Sequence, residues 1–398
     1  LGRIQGYTPP ATYLLGRAWT QGKERGDTCF DRLARVDHDR ILSGQVTLEE
    51  RVLDGLAWVR RLRREGGSWQ VLPEPSVPEL YPHMRHDMDS PWHTAKAHIG
   101  AALGELTLLP SMNPERRATA HRLGIRRWDD PRASASVLGI TTANYATKCD
   151  AVLEVNRSAD PEVVVLPKRL TTADPAWRTV APLELYVDFE TVSNINDDFS
   201  RLPQVGGQTL IFQIGCGHWA EDGRWAFEQW TVDRLREPEE AEAIRGWLSH
   251  IDRLRDGRGL RSDQVRIVHW SPAETSFLVN AYNSAARRHP KEDWPDLPWF
   301  DALSLVARPG PLVVRGAFGF GLKAIAKAMH AHGLIDVAWG DGPTDGLGAM
   351  VGAWWCDGEA ARRGISMRDI DLMQQIGAYN EVDCRTMAEI LRWLRANR

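Results

Sequence analysis

Two short patterns in this 398-residue chain place carboxylates where they could do chemistry. In Leu183-Glu184-Leu185-Tyr186-Val187-Asp188-Phe189-Glu190-Thr191 the side chains divide by parity. Leu185, Val187 and Phe189 point one way, and Tyr186, Asp188 and Glu190 the other. A strand this apolar belongs in the middle of a sheet. Two acids on one face, roughly 7 Å apart at about 3.3 Å per residue, repel strongly once partly buried. Divalent cations bridging hard carboxylate oxygens relieve that repulsion, and in a two-metal site they activate water and stabilise the leaving oxygen of a phosphodiester. A solvated strand face is the alternative, since exposed strands also carry paired acids.

The second pattern is Ile376-Gly377-Ala378-Tyr379-Asn380-Glu381-Val382-Asp383-Cys384, within a segment apolar at Met373, Ile376, Val382, Met387, Ile390, Leu391 and Leu394. That spacing is helical. Tyr379 and Asp383 are four apart, so phenol and carboxylate share one helix face, a turn apart, in line with the stripe that packs on the sheet.

These residues resemble the ribonuclease H-like 3′-to-5′ exonucleases of the DEDD type, in the subclass whose last motif is Y-x-x-x-D. Asp188 and Glu190 match the first motif, and Tyr379 with Asp383 the last. The family's second motif normally ends in Asp; here Arg266-Ile267-Val268-His269-Trp270-Ser271-Pro272-Ala273-Glu274 stands in its place, with Glu274 as the substitute and Asp301 as its rival. More narrowly the chain looks like bacterial and viral proteins described as RecB-family nucleases, over about residues 183–396 and, loosely, 50–140. The resemblance implies an α/β, ribonuclease H-like fold with a mixed five-stranded sheet flanked by helices, and metal-dependent hydrolysis at the 3′ ends of single-stranded or duplex nucleic acid, DNA in preference to RNA. Two Mg²⁺ or Mn²⁺ ions would be held by Asp188, Glu190, Glu274 and Asp383, and Tyr379 would orient the attacking water, because a phenol with pKa near 10 is a poor base. The resemblance sets the terminal nucleotide near His269 and Trp270. A competing reading is a nucleic-acid-binding or assembly subunit that keeps the fold without turnover.

The elements needed to position these groups follow in order. Thr209–Gly215 and Trp225–Trp230 read as strands around a turn at Glu221-Asp222-Gly223, giving a meander. Glu239–Leu254 is helical, Val265–Trp270 a strand and Pro272–Arg288 a helix, an order that matches the resemblance. Phe318–Lys323 opens another helix whose Lys323 could reach a phosphate or stay solvated. Asp341-Gly342-Pro343 and Asp345-Gly346 mark a turn before the last helices.

Upstream, a helix over Ala11–Trp19 and a longer one over Leu48–Arg64, ended by Gly66-Gly67, are expected. Pro73–Pro82 is a loop, and Ser90-Pro91 opens a helix running through Trp92, Ala95, Ile99, Leu103 and Leu106. Between Pro114 and Pro131, Arg116, Arg117, Arg126 and Arg127 could grip a nucleic-acid backbone, or belong to a surface helical hairpin. Residues 1–155 therefore read as a mostly helical accessory region, 156–182 as a linker, and 183–398 as the nuclease-like domain.

Composition is that of an ordinary globular protein, 43% hydrophobic and 26% charged. Residues 1–180 carry 25 Lys plus Arg against 22 acids and residues 181–398 carry 24 against 31, so net charge does not select a partner. No long apolar run suggests a membrane span or a leader, and a cytoplasmic location is expected. The five cysteines form no C-x-x-C pair, which argues for free thiols in or near cores over a zinc site or a disulfide framework.

Overall fold

The computed structural model describes residues 6, 11–15, 20–21, 24–25, 33–42, 45–86, 89, 91–171, 175–192, 209–270, 276–307, 310–338 and 346–398. The chain divides into two compact units, residues 1–80 with 193–208, and residues 81–192 with 209–398.

In the first unit, strands β1 (Tyr13–Leu15), β2 (Thr20–Gln21), β3 (Glu24–Arg25) and β4 (Leu33–Arg35) make two small antiparallel pairs, β1 with β4 and β2 with β3. The helix expected over Ala11–Trp19 is thus replaced at Tyr13–Leu15 by a strand. Pairing with the distant Leu33–Arg35 segment overrides a weak local preference that Gly16 already interrupts. Helix α1 (Leu48–Glu65) forms as expected. Its capping box explains the start: Glu50 N donates to Thr47 Oγ1 at 3.2 Å, and Thr47 N donates to Glu50 Oε2 at 2.7 Å.

The second unit begins with helices α2 (His93–Leu103), α3 (Pro114–Arg122) and α4 (Ala143–Arg157) and the short strand β5 (Val165–Leu166). α2 stops before Leu106 because Gly104 turns left-handed at φ 60°, where a Cβ would press on the Arg127 guanidinium at 2.8 Å. Next come β6 (Leu183–Val192), β7 (Leu210–Trp219), β8 (Trp225–Thr231), α5 (Glu237–Gly257), β9 (Val265–His269), α6 (Phe277–Arg288), β10 (Trp299–Asp301), α7 (Leu303–Ala307), β11 (Val313–Val314), α8 (Leu322–Ala331), α9 (Gly346–Arg363) and α10 (Asp371–Asn397).

Strands β10-β9-β6-β7-β8 make one mixed five-stranded sheet with β6 at its centre. β6 runs antiparallel to β7 and parallel to β9. The parity expected of β6 holds: Leu185, Val187 and Phe189 pack with α5 and α6 on one face, while Tyr186 packs with α8 and α10 on the other. The unit is therefore α/β, a mixed sheet between two helical layers. Between Glu190 and Thr191 the β6–β7 register shifts. Ile211 N, beside this irregularity, donates to the buried Glu240 carboxylate at 2.7 Å, and Arg288 and His289 bond the same carboxylate.

The division differs from the boundary read in the sequence. Residues 81–155 belong to the same unit as the sheet, because Leu106, Ile125, Val152 and Val155 build one core with Val313, against which Phe318 and Phe320 pack. The segment 156–182 is correspondingly woven in. β5 pairs with β11, and Gly316 N donates to Asn156 Oδ1 at 2.8 Å. Cys149, Cys216, Cys356 and Cys384 are buried free thiols. Among the described residues no helix is long and apolar enough to cross a membrane.

Candidate functional site

A cleft of about 460 Å³ opens on the β6 face that α8, α9 and α10 cover. Its wall includes Asp188 and Glu190 from β6, Tyr379 and Asp383 from α10, Lys323 from α8 and Trp270 just beyond β9. Two segments almost two hundred residues apart in sequence thus bring together the four groups that the strand and helix patterns singled out. Glu190 and Asp383 are each 8% exposed, and Asp188 is half-buried.

Packing at both ends of α10 sets this convergence. At the far end, the Arg395 guanidinium grips both oxygens of the buried Glu184 carboxylate at 2.7 Å, and Arg266 Nη1 and the Tyr186 hydroxyl donate to the same group at 2.9 and 3.0 Å. At the cleft end, the fully buried Asn380 donates from Nδ2 to Asp188 Oδ2 at 2.9 Å. Asn380 can stand there because Gly215 is the residue paired with Asp188 across the β6–β7 ladder, and a Cβ at Gly215 would lie 1.7 Å from the Asn380 amide oxygen. Neither Asn380 nor Gly215 is among the residues chosen from sequence. The only signal in the sequence is the place of Asn380 inside Tyr379-x-x-x-Asp383.

Electrostatically the cleft carries excess negative charge. Burial, then the neighbouring Asp383 charge, pushes the Glu190 carboxyl up to about 8, while Lys323 and a hydrogen bond from Asn380 act in the opposite direction. Asp188 is raised well above its ordinary range by burial, by Asp383 and by Glu190. Among the described residues of the cleft wall Lys323 is the one cation, with its ammonium 4.6 Å from the centre of the Tyr379 ring.

Asp188 and Glu190, whose ionisation burial and the Asp383 charge hold back, form with Asp383 a hard-oxygen donor set that a divalent cation would discharge. On that chemistry the residues fit such an ion. Among the described residues no three His, Cys, Asp or Glu side chains already stand as a ligand group, and Glu274, the fourth expected ligand, lies outside the described residues. Its rival Asp301 ends β10 and accepts from Leu303 N at 2.9 Å, so it caps α7. His269 is fully buried, and burial pushes its imidazole down to about 4.

The arginines proposed for backbone contacts lie elsewhere, and each has a partner within the protein. Arg117 is buried, with Nη1 3.1 Å from the buried Glu105 carboxylate. Arg116 donates to Ser111 O at 2.5 Å, Arg126 to the Tyr81 hydroxyl at 3.3 Å, and Arg127 forks onto both oxygens of Asp129 at 2.9 Å. None of the four lines the acidic cleft. Phe277, Leu278 and Met350, not singled out in the sequence, supply its apolar wall.

Comparison with protein-family models, with characterised proteins and with solved structures finds no match for this chain, so the functional reading rests on the cleft itself.

Proposed function

We propose that the second unit is a metal-dependent nuclease of ribonuclease H-like architecture that removes nucleotides from the 3′ end of nucleic acid, DNA in preference to RNA. The observation that carries this reading is the convergence of Asp188, Glu190 and Asp383 on one cleft, with their charges opposing one another. A protein gains nothing in stability from such a cluster, and a divalent cation turns it into a binding site. The strand order, with the acid-bearing strand central between an antiparallel and a parallel neighbour, agrees with the proposed architecture.

Asp188, Glu190 and Asp383, with Glu274, would hold two Mg²⁺ or Mn²⁺ ions. When bound, these supply positive charge for the phosphate and acidify water. The chain's own side chains do the rest. Asn380 fixes the Asp188 carboxylate through its 2.9 Å hydrogen bond, so that one oxygen keeps a set direction. Tyr379 offers a phenol that orients the attacking water without acting as a base. Lys323 places an ammonium where a phosphodiester oxygen can meet it, and Trp270 closes the side of the cleft beyond β9. Positioning and charge compensation are the main contributions a protein makes to phosphodiester hydrolysis.

The test uses labelled oligonucleotides with Mg²⁺ or Mn²⁺. A 5′-blocked single strand is shortened, a 3′-blocked one resists, and Asp188→Ala abolishes shortening while leaving the far-ultraviolet circular dichroism unchanged. Undiminished cleavage by purified Asp188→Ala overturns the assignment of the cleft. Cutting of a closed circular strand at the linear rate overturns the direction. Metal-independent binding of the strands without hydrolysis would favour a binding or assembly role.

A further inference from the structure

A second cleft, of about 470 Å³, lies on the other flank of α10, toward β7 and the amino end of β6. Its wall differs in kind from that of the acidic cleft. Among the described residues, Arg258, Arg392 and Arg395 line it against a single carboxylate, Glu184. That carboxylate is already matched by Arg395 at 2.7 Å and by Arg266 at 2.9 Å. Arg258 is held by a hydrogen bond to Pro182 O at 3.2 Å, and the Arg392 guanidinium lies 4.6 Å from the centre of the Trp219 ring. Neither makes an ion pair with a carboxylate among the described residues. The ring and the backbone carbonyl hold both guanidiniums in place while, among the described residues, no carboxylate pairs with either charge. The rest of the wall is apolar. Val180 is 62% exposed at its edge, beside Ala181 and Pro182.

We propose that this cleft binds a nucleotide, with the phosphate between Arg258 and Arg392 and the base against the apolar edge formed by Val180 and Pro182. Two such guanidiniums suit a dianion better than a monocarboxylate, and their forked donors match phosphate oxygens. The volume and the largely apolar lining with a few convergent polar groups are those of a small-molecule site. A phosphate alone would leave the apolar edge unused, and a nucleoside alone would leave the two charges unmatched. The inference does not depend on the nuclease reading, because none of these groups belongs to the acidic cleft.

Calorimetric titration of the full chain in EDTA with AMP, GMP, CMP and UMP, and with inorganic phosphate and adenosine as controls, tests it. At least one nucleotide binds about tenfold or more tightly than either control, a difference of about 1.4 kcal/mol. Arg258→Gln/Arg392→Gln weakens that binding by at least about tenfold. Val180→Asp, a change at an exposed position that puts a charge on the apolar edge against which the base lies, weakens it independently of the double variant. Asp188→Asn/Asp383→Asn leaves it unchanged. The proposal is overturned if no nucleotide exceeds inorganic phosphate, or if the arginine variant and Val180→Asp both bind as the unmodified chain does. It is also overturned if Asp188→Asn/Asp383→Asn abolishes binding, which would place the ligand in the acidic cleft. Loss of nuclease activity in any variant leaves this outcome untouched.

Discussion

Replacing Asp383 with Asn removes one negative charge from the acidic cleft while keeping the size of the side chain and its place on α10. The expected consequence is a metal-free protein that becomes more stable at alkaline pH, although a group of the proposed site has been lost. Glu190 has its carboxyl raised from 4.5 to about 8 in the folded protein. For a raised carboxyl, the associated stability is full below the unfolded value of 4.5 and is lost as the pH climbs through about 8. That displacement corresponds to about 5 kcal/mol as an upper bound. Burial is the larger cause and Asp383 the second, which leaves on the order of 1–2 kcal/mol to the Asp383 charge. In a unit of this size that is a rise in Tm of roughly 2–8 °C. Differential scanning calorimetry in EDTA at about pH 9 and about pH 5 reads it directly. Asp383→Asn melts higher than the unmodified protein at the alkaline pH and at nearly the same temperature at the acidic one. Adding Mg²⁺ at the alkaline pH reverses the ranking, because only the unmodified cleft gains from the ion. The same change in Tm at both pH values would refute the charge argument.

Other outcomes follow from the same geometry. Arg395→Met leaves Glu184 buried with fewer donors and loosens the fastening of α10 on β6; about 3 kcal/mol is lost in urea unfolding, together with nuclease activity at a site more than two helical turns away. Arg117→Ala strands the buried Glu105 carboxylate and costs about 3–5 kcal/mol, whereas Arg126→Ala and Arg127→Ala stay within about 0.5 kcal/mol, and equal costs would contradict the burial difference. Glu274→Ala removes most cleavage and Glu274→Asp keeps part of it, while Asp301→Ala lowers stability by about 1 kcal/mol with cleavage retained, as expected of a lost cap at Leu303 N. A metal-soaked crystal with an ion on Asp301 and Glu274 turned away reverses that last pair of assignments.

Much of the cleft was legible because its signals are local. Alternation along Leu183–Thr191 is enough to put Asp188 and Glu190 on one side of a strand, and spacing of four is enough to put Tyr379 and Asp383 on one side of a helix. The meander and the order of strands and helices from 183 onward follow from periods of two and 3.6 broken by turn residues. What was not legible depends on contacts that no local pattern records. Arg117 sits in a run that looks like a basic surface, and only the fold shows Glu105 buried beside it. The division into compact units departs from the boundary near residue 155 for the same reason. A run of helices before a proline-rich stretch looks self-contained, but Val152 and Val155 complete their core with Val313. At Tyr13–Leu15 a strand partner twenty residues away decided the structure against the local helical preference.

Asn380 shows how the two kinds of information combine. Its neighbours Tyr379 and Asp383 could be selected by spacing, whereas its own role needs the register of β7, because the glycine opposite Asp188 is what opens room for an amide. The hydrogen bond to Asp188 and the Glu184–Arg395 ion pair lie at opposite ends of the α10 contact with β6, so together they fix both the rotation and the axial position of the helix. A helix held at one end alone could slide by a fraction of a turn and carry the Asp383 carboxylate away from Glu190. Held at both ends, it keeps three acids close together, an arrangement the rest of the core sustains and a divalent cation would relieve. The second cleft borders the same fastening at Glu184 and Arg395, and because that carboxylate is already matched there, Arg258 and Arg392 in its wall have no carboxylate partner among the described residues.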